Sequence, residues 1–311
     1  KIMKYSKDID FFRAILICLV ILVHIVNFGN IHPLAKSAIL SFMMPTFLVI
    51  TGYLVNIDKT IREFLRYIGQ ILLPYVICVT GYAVLSLYLP VRDGIKIFNL
   101  STILDIICIK SIGPYWFLHV MIVCGVIYYF AFHISRKIDI TARYSIFAAL
   151  LILTALFTPF LSLEAAFYYF VGVGIRQYCK DFSRVYLNSF WPLLPFGLLV
   201  VHPRFHGWGT ISVLVCVFSF LSFSSYFICF FKGRTKSIIE YIGRNTFPIY
   251  IFHPMFTMLS KFLSPAFKWD FTGLSHAILT IVIGVAGSIC IAKVLDWSHL
   301  SYLLGKKKIL R

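Results

Sequence analysis

Arg13 and His24 stand eleven residues apart inside the first apolar stretch of the chain. Eleven steps of about 100° return a helix nearly to the same direction, so both side chains share one stripe, about 16 Å apart along the axis. An ionisable side chain at bilayer depth costs about 2.5–3.5 kcal/mol on insertion scales, and such residues turn toward partners or water-filled cavities. Arg13 then lies just inside one membrane face, and His24 lies past the midplane. Neutral imidazole suits removal of a proton from a hydroxyl near pH 7, and a guanidinium suits an anion. The pair fits a path from an anionic ligand at the surface to a reaction centre deeper in the bilayer. Asp10, one turn before Arg13, can pair with it. Two plainer readings stand beside this one: an arginine that snorkels to the interface, and a histidine hydrogen-bonded within a core.

Other residue types invite the same question. His253, in Tyr250-Ile251-Phe252-His253-Pro254, precedes a proline, which frees a backbone carbonyl in a helix and often accompanies a cavity. His119 follows Pro114-Tyr115-Trp116-Phe117-Leu118, an aromatic stretch that reads as an interfacial belt. Glu164 fits a helix N-terminus as well as it fits a site. Arg62 and Arg66, one turn apart, suit a phosphorylated ligand at the membrane face, and equally a topology-setting cluster. The eight cysteines contain no CxxC pair and sit mostly in apolar runs, so neither a disulfide framework nor a metal site is implied.

The elements that must position these residues follow from composition. Of 311 residues, 60% are hydrophobic and 13% charged, and the mean hydropathy of +0.88 excludes a water-soluble enzyme. A hydrocarbon core of about 30 Å takes roughly 20 apolar residues per crossing. Apolar runs bounded by charge or turn residues predict ten helices, at 9–28, 36–56, 67–89, 114–133, 145–161, 163–178, 186–201, 209–231, 245–263 and 275–295. The expected fold is therefore an all-α polytopic membrane bundle in one transmembrane domain spanning 1–311, with no appended soluble domain. The first stretch follows Lys1, Lys4 and Lys7 but contains Arg13 and His24 and ends without a small-residue cleavage site, so it reads as a retained helix.

The net charge of +17 is read the same way. Basic clusters fall on alternate connections: Lys1, Lys4 and Lys7; Lys59, Arg62 and Arg66; Arg136, Lys137 and Arg143; Arg176, Lys180 and Arg184; Lys232, Arg234, Lys236 and Arg244; and Lys293, Lys306, Lys307, Lys308 and Arg311. The opposite side holds Lys36, Arg92, Lys96, Lys110, Arg204, Lys261 and Lys268, roughly one third as many. The positive-inside rule places the clusters and both termini in the cytoplasm, which ten crossings satisfy. The excess charge is then a topology signal, and a nucleic-acid partner is not expected.

Taken together, these segments resemble the membrane acyltransferase family 3, which includes bacterial polysaccharide O-acetyltransferases. The resemblance runs through Ile9-Asp10-Phe11-Phe12-Arg13 to His24, then Phe42-Met43-Met44-Pro45-Thr46-Phe47-Leu48 and Thr51-Gly52-Tyr53. It continues through Arg66 with Leu72-Leu73-Pro74-Tyr75, Trp116-Phe117-Leu118, and Tyr241-Ile242-Gly243-Arg244-Asn245-Thr246 with Tyr250 and His253. Thr51 stands where serine is commoner, and no hydrolase-like domain follows the last helix. The resemblance implies acyl transfer from a cytoplasmic acyl-CoA, most often acetyl-CoA, to a sugar hydroxyl of a surface polysaccharide or its lipid-linked precursor, in a bacterial plasma membrane.

His24 takes the catalytic role under this resemblance, with Arg13 beside it. Arg62 and Arg66 are the choices for the donor's phosphates; Asp10, Trp116, Tyr250 and His253 are supporting residues. Direct transfer and transfer through an acyl-His24 are both open, as are the acceptor sugar and the oligomeric state. Trp208, His202 and His206 lie where an acceptor would enter, or are interfacial. A glycan exporter, and a non-catalytic subunit of a glycan-assembly complex, are the alternatives. An exporter often shows inverted repeats, and the sequence has none.

Overall fold

A computed structural model describes residues 7–89, 94–134 and 137–311, the side chain of Ile134 apart; Lys1, Lys4, Arg92 and Arg136 lie outside the described residues. The chain is all-helical, with 80% of it in helix and no strand among the described residues. It divides into two compact units. The first comprises residues 1–47, 182–301 and 307–311; the second comprises 48–181 and 302–306.

The first unit contains α1 (Lys7–His24), α2 (Val26–Ile31), the larger part of α3 (Pro33–Leu54), and five later helices. Within the second unit, the end of α3 is followed by α4 (Ile61–Tyr88), α5 (Leu100–Cys108), α6 (Trp116–Ile134), α7 (Ile140–Phe157) and α8 (Leu163–Gly174), which runs on as one π turn to Cys179. The chain then returns to the first unit with α9 (Leu193–Val201), α10 (Ile211–Phe227), α11 (Gly233–Arg244), α12 (Thr246–Leu259) and α13 (Leu274–Trp297).

In the first unit α1 is the central element, packed along α11 and against α10, α12 and α13. Phe12, Leu16, Ile17 and Ile21 on it are fully buried, as expected of a helix apolar on nearly every side. Gly243 makes the α1–α11 approach possible: a Cβ there would fall on the Asp10 backbone carbonyl. Tyr186 donates to the Asp8 carboxylate at 2.7 Å and stacks edge-on against Phe12. In the second unit, Gly52 of α3 lies on the Tyr169 carbonyl and Gly172 of α8 on the Val49 carbonyl, so two glycines let these backbones cross. Phe64 and Tyr129 stack face to face at 3.8 Å, and Tyr129 donates to the Lys59 carbonyl. Thr60 and Glu63 close a reciprocal cap at the start of α4.

Each of the ten expected apolar runs carries a helix, and the differences have local causes. The first run breaks at Ile25, which is extended (φ −77°, ψ 110°), within a Val-His-Ile-Val sequence of weak helix formers. The connection expected over 90–113 contains α5, capped by the Asn99 side chain accepting from Thr102 N–H. The basic stretch 232–244 is the helix α11, which packs along α1. The run expected over 186–201 becomes helix only from Leu193, and nine residues extend about 13.5 Å.

Among the described residues, six helices are long and apolar enough to cross a membrane: Pro33–Leu54, Ile61–Tyr88, Gly113–His133, Ile140–Phe157, Ile211–Phe230 and Leu274–Trp297. The helix α1 has sufficient length, at 18 residues, but carries Lys7, Asp8, Asp10 and Arg13. Asp10 and Arg13 among these charges, with His24 at its end, are the residues that could do chemistry.

The turn before α13 is built on Asp270. Its carboxylate accepts from Thr272 N–H and Oγ1–H and from Ser275 N–H. These bonds favour the ionised form and hold the carboxyl at about 2, below its ordinary 3.8. The contribution to stability is therefore complete above pH 4 and lost as pH falls toward 2. The gap in thermal midpoint between wild type and Asp270→Asn should be constant from pH 7 to 5 and close below pH 4. The glycine crossings give a second expectation. Gly172→Ala and Gly243→Ala should each lower stability by about 1–3 kcal/mol. Gly81→Ala, whose Cβ meets nothing within 4 Å, should be neutral or slightly stabilising. Detergent-resistant folding on size exclusion and thermal midpoints would measure both.

Candidate active site

His24 occupies the last position of α1, where the chain leaves the helix at Ile25. Its Nδ1 lies 2.6 Å from the Val20 carbonyl. A carbonyl only accepts, so Nδ1 carries the ring proton and Nε2 presents a lone pair. Three turns earlier, Arg13 Nη1 stands 3.8 Å from Asp10 Oδ1. Asp10 is buried, while Arg13 retains 19% exposure. α1 thus carries an anion-facing cation at one end and a proton acceptor at the other, in the register the sequence spacing predicts.

The second imidazole is His253 of α12. Its ring centroid lies 5.4 Å from that of His24, at 67° to it. Both residues belong to the first unit. The sequence contains the reason His253 is held as it is. Pro254 has no N–H, so the Tyr250 carbonyl loses its helical donor. His253 Nδ1 supplies the replacement at 2.8 Å, with the Ile249 carbonyl 3.2 Å away. The Tyr250 ring packs at 5.8 Å from the same imidazole. His253 is fully buried, and its Nε2 has no hydrogen-bond partner among the described residues.

The junction of α11 and α12 supports this arrangement. Gly243 rests on Asp10, and Thr246 Oγ1 donates to the Gly243 carbonyl at 2.5 Å. Asn245, fully buried, clasps Arg311: Oδ1 accepts from its N–H at 2.8 Å, and Nδ2 donates to its carbonyl at 3.3 Å and to Tyr241 O at 2.9 Å. Asp296 accepts from the N–H groups of Ile309 and Leu310, so the segment leading to Arg311 is held from two helices.

Asp10, Arg13, His24, Tyr250 and His253 therefore come together in one unit. Arg62, Arg66 and Trp116 belong to the second unit. Arg62 and Arg66 are exposed on the first two turns of α4, and Trp116 is half-buried at the start of α6, following the turn Gly113–Tyr115. His119 stacks beside Tyr75, in keeping with an aromatic belt. Glu164 is exposed in the first turn of α8, which is a helix-end position. His206 is a structural pin: Nε2 donates to the Val200 carbonyl, so Nδ1 accepts from Ser37.

Two residues of the first unit carry little signal in the sequence. Lys36, read as a connection charge, lies across Gly29 in the segment just beyond His24. His276 of α13 is buried with Nε2 on the Ser260 carbonyl. A positively charged residue spaced from a glycine across a short helix is a weak signal, and a lone histidine in an apolar run is weaker.

An all-helical chain with several membrane-length apolar helices, and a histidine pair where a charged first helix meets α12, is a multi-pass membrane protein with groups that can transfer a proton. The chain belongs to the acyltransferase 3 family: the family model described as an acyltransferase domain matches residues 6–293, nearly its whole length. No curated protein and no solved structure matches it.

Asn245→Ala removes both contacts to Arg311 and should cost about 1–2 kcal/mol. Hydrogen exchange in detergent should then speed up over residues 307–311 and at the start of α12, with α4–α8 unchanged.

Proposed function

We propose that the protein is a membrane O-acyltransferase that moves an acetyl group from cytoplasmic acetyl-CoA to a sugar hydroxyl of a surface polysaccharide or its lipid-linked precursor, in a bacterial plasma membrane. Ten crossings, both termini in the cytoplasm and one transmembrane domain belong to the same proposal, supported by the one-sided basic clusters. The observation that carries it is His24: in a chain of the acyltransferase 3 family, its Nδ1–H is bound to Val20, leaving Nε2 as the proton acceptor.

The chemistry asks little else of the protein, because a thioester is already activated. The acceptor oxygen attacks the thioester carbonyl carbon, forming the C–O bond. The C–S bond breaks with its electron pair going to sulfur. The hydroxyl proton passes to His24 Nε2 and from there to sulfur, releasing CoA as the thiol. The bond to Val20 steadies the imidazolium in between. Arg13, held by Asp10, offers charge to the donor's phosphates. A buried site limits loss of the acyl group to water.

His24→Ala should lower transfer by about 10²–10⁴-fold at equal membrane levels. Arg13→Ala should raise the KM for acetyl-CoA about tenfold, with a smaller change in kcat. Mass spectrometry and NMR of surface glycan and lipid-linked precursors, from cells expressing wild type or His24→Ala, test the first. Acyl groups present only with wild type support the transferase. Equal acylation in both overturns it and favours the exporter or the non-catalytic subunit.

A further inference from the structure

The proposed chemistry uses one imidazole, yet the site holds two. Both have the same tautomer for the same physical reason: each Nδ1–H is spent on a carbonyl of its own helix, Val20 for His24 and Tyr250 for His253. Both therefore present Nε2 lone pairs, from rings whose centroids lie 5.4 Å apart. His253 Nε2 is buried, with no donor among the described residues. An acceptor left unpaired at depth is costly, and a donor brought by a ligand to the His24–His253 contact would relieve that cost.

One hydroxyl cannot meet this demand. It has one proton, and under the proposed reaction that proton goes to His24. A second donor on the neighbouring atom can. Vicinal hydroxyls of a sugar ring stand close enough for each to donate across about 2.8 Å to its own imidazole, the rings being set edge to face. We propose that His253 is a specificity-determining residue that accepts a hydrogen bond from the hydroxyl adjacent to the one being acylated, so that the acceptor is a vicinal diol. This rests on the transferase reading. It assigns the reacting oxygen to His24 and the neighbouring oxygen to His253, and it makes Pro254 part of substrate choice, because its missing N–H fixes the His253 tautomer. A site built to bond a hydroxyl rejects the analogue lacking it, because its own polar group is then left unpaired.

The test uses the full chain in nanodiscs with acetyl-CoA and high concentrations of methyl glucopyranoside, mannopyranoside and galactopyranoside. Each is paired with the monodeoxy analogue lacking the hydroxyl next to the acylated position, and the readouts are CoA release and mass spectrometry. Wild type should favour the parent glycoside by about ten- to a hundredfold in kcat/KM. His253→Phe, which keeps ring volume and removes the acceptor atom, should bring that ratio close to one. His253→Gln, whose carbonyl oxygen can accept in place of Nε2, should keep most of it.

The ratio is internal to each preparation, so partial misfolding of a variant does not alter it. A wild-type ratio near one, or an unchanged ratio in His253→Phe, overturns the inference and leaves the transferase standing. So does a failure to acylate any of these simple diols while cells show His24-dependent glycan acylation. Absence of His24-dependent acylation in both assays overturns the transferase reading, and this inference with it.

Discussion

The hydrogen bond from His24 to the Val20 carbonyl is the constraint on which the chemistry of the site depends. It closes within a single helix, so it needs no neighbour to form, and it sets which nitrogen holds the proton before any ligand arrives. In hydrocarbon every polar group must find its partner within the protein, and a side chain bonded to its own backbone meets that requirement at the least ordering cost. His253 follows the same rule on another helix, with proline supplying the open carbonyl. Two local bonds thus yield a matched pair of acceptors.

What remains is to bring helices close to one another, and small residues do this. Gly243 admits α11 to the backbone of α1, while Gly52 and Gly172 perform the corresponding task between α3 and α8. In the absence of a strong hydrophobic drive between helices within lipid, close backbone contact supplies dispersion that larger side chains would prevent. The buried Asn245 and the half-buried Asp296 add polar ties at the end of the same assembly, where they engage backbone rather than each other.

Much of this was legible in the sequence, to a depth set by period. That Arg13 and His24 share one helix is legible because a helix maps spacing onto direction, and spacing is what a sequence records. Their motif also leads to the family. The helical nature of the ten apolar runs is equally plain. The His24–His253 contact is another matter: more than two hundred residues separate the pair, and no local pattern encodes which helices become neighbours. The α5 and α11 helices carry no long apolar run to mark them: α5 has nine residues, and α11 is amphipathic and rich in charge. The shortening of the run at 186–201 follows from Pro192, which stands just ahead of the helix, and is evident only once the helix start is known.

The bond between His253 and the Tyr250 carbonyl also bears on how this chain can change over time. Any residue at 254 that restores an N–H returns that carbonyl to the helix ladder and releases the imidazole to turn, so the effect of a substitution at 253 depends on what occupies 254. The two neighbouring positions are therefore epistatic, and a lineage that exchanged one would be expected to find its way back only by exchanging the other as well.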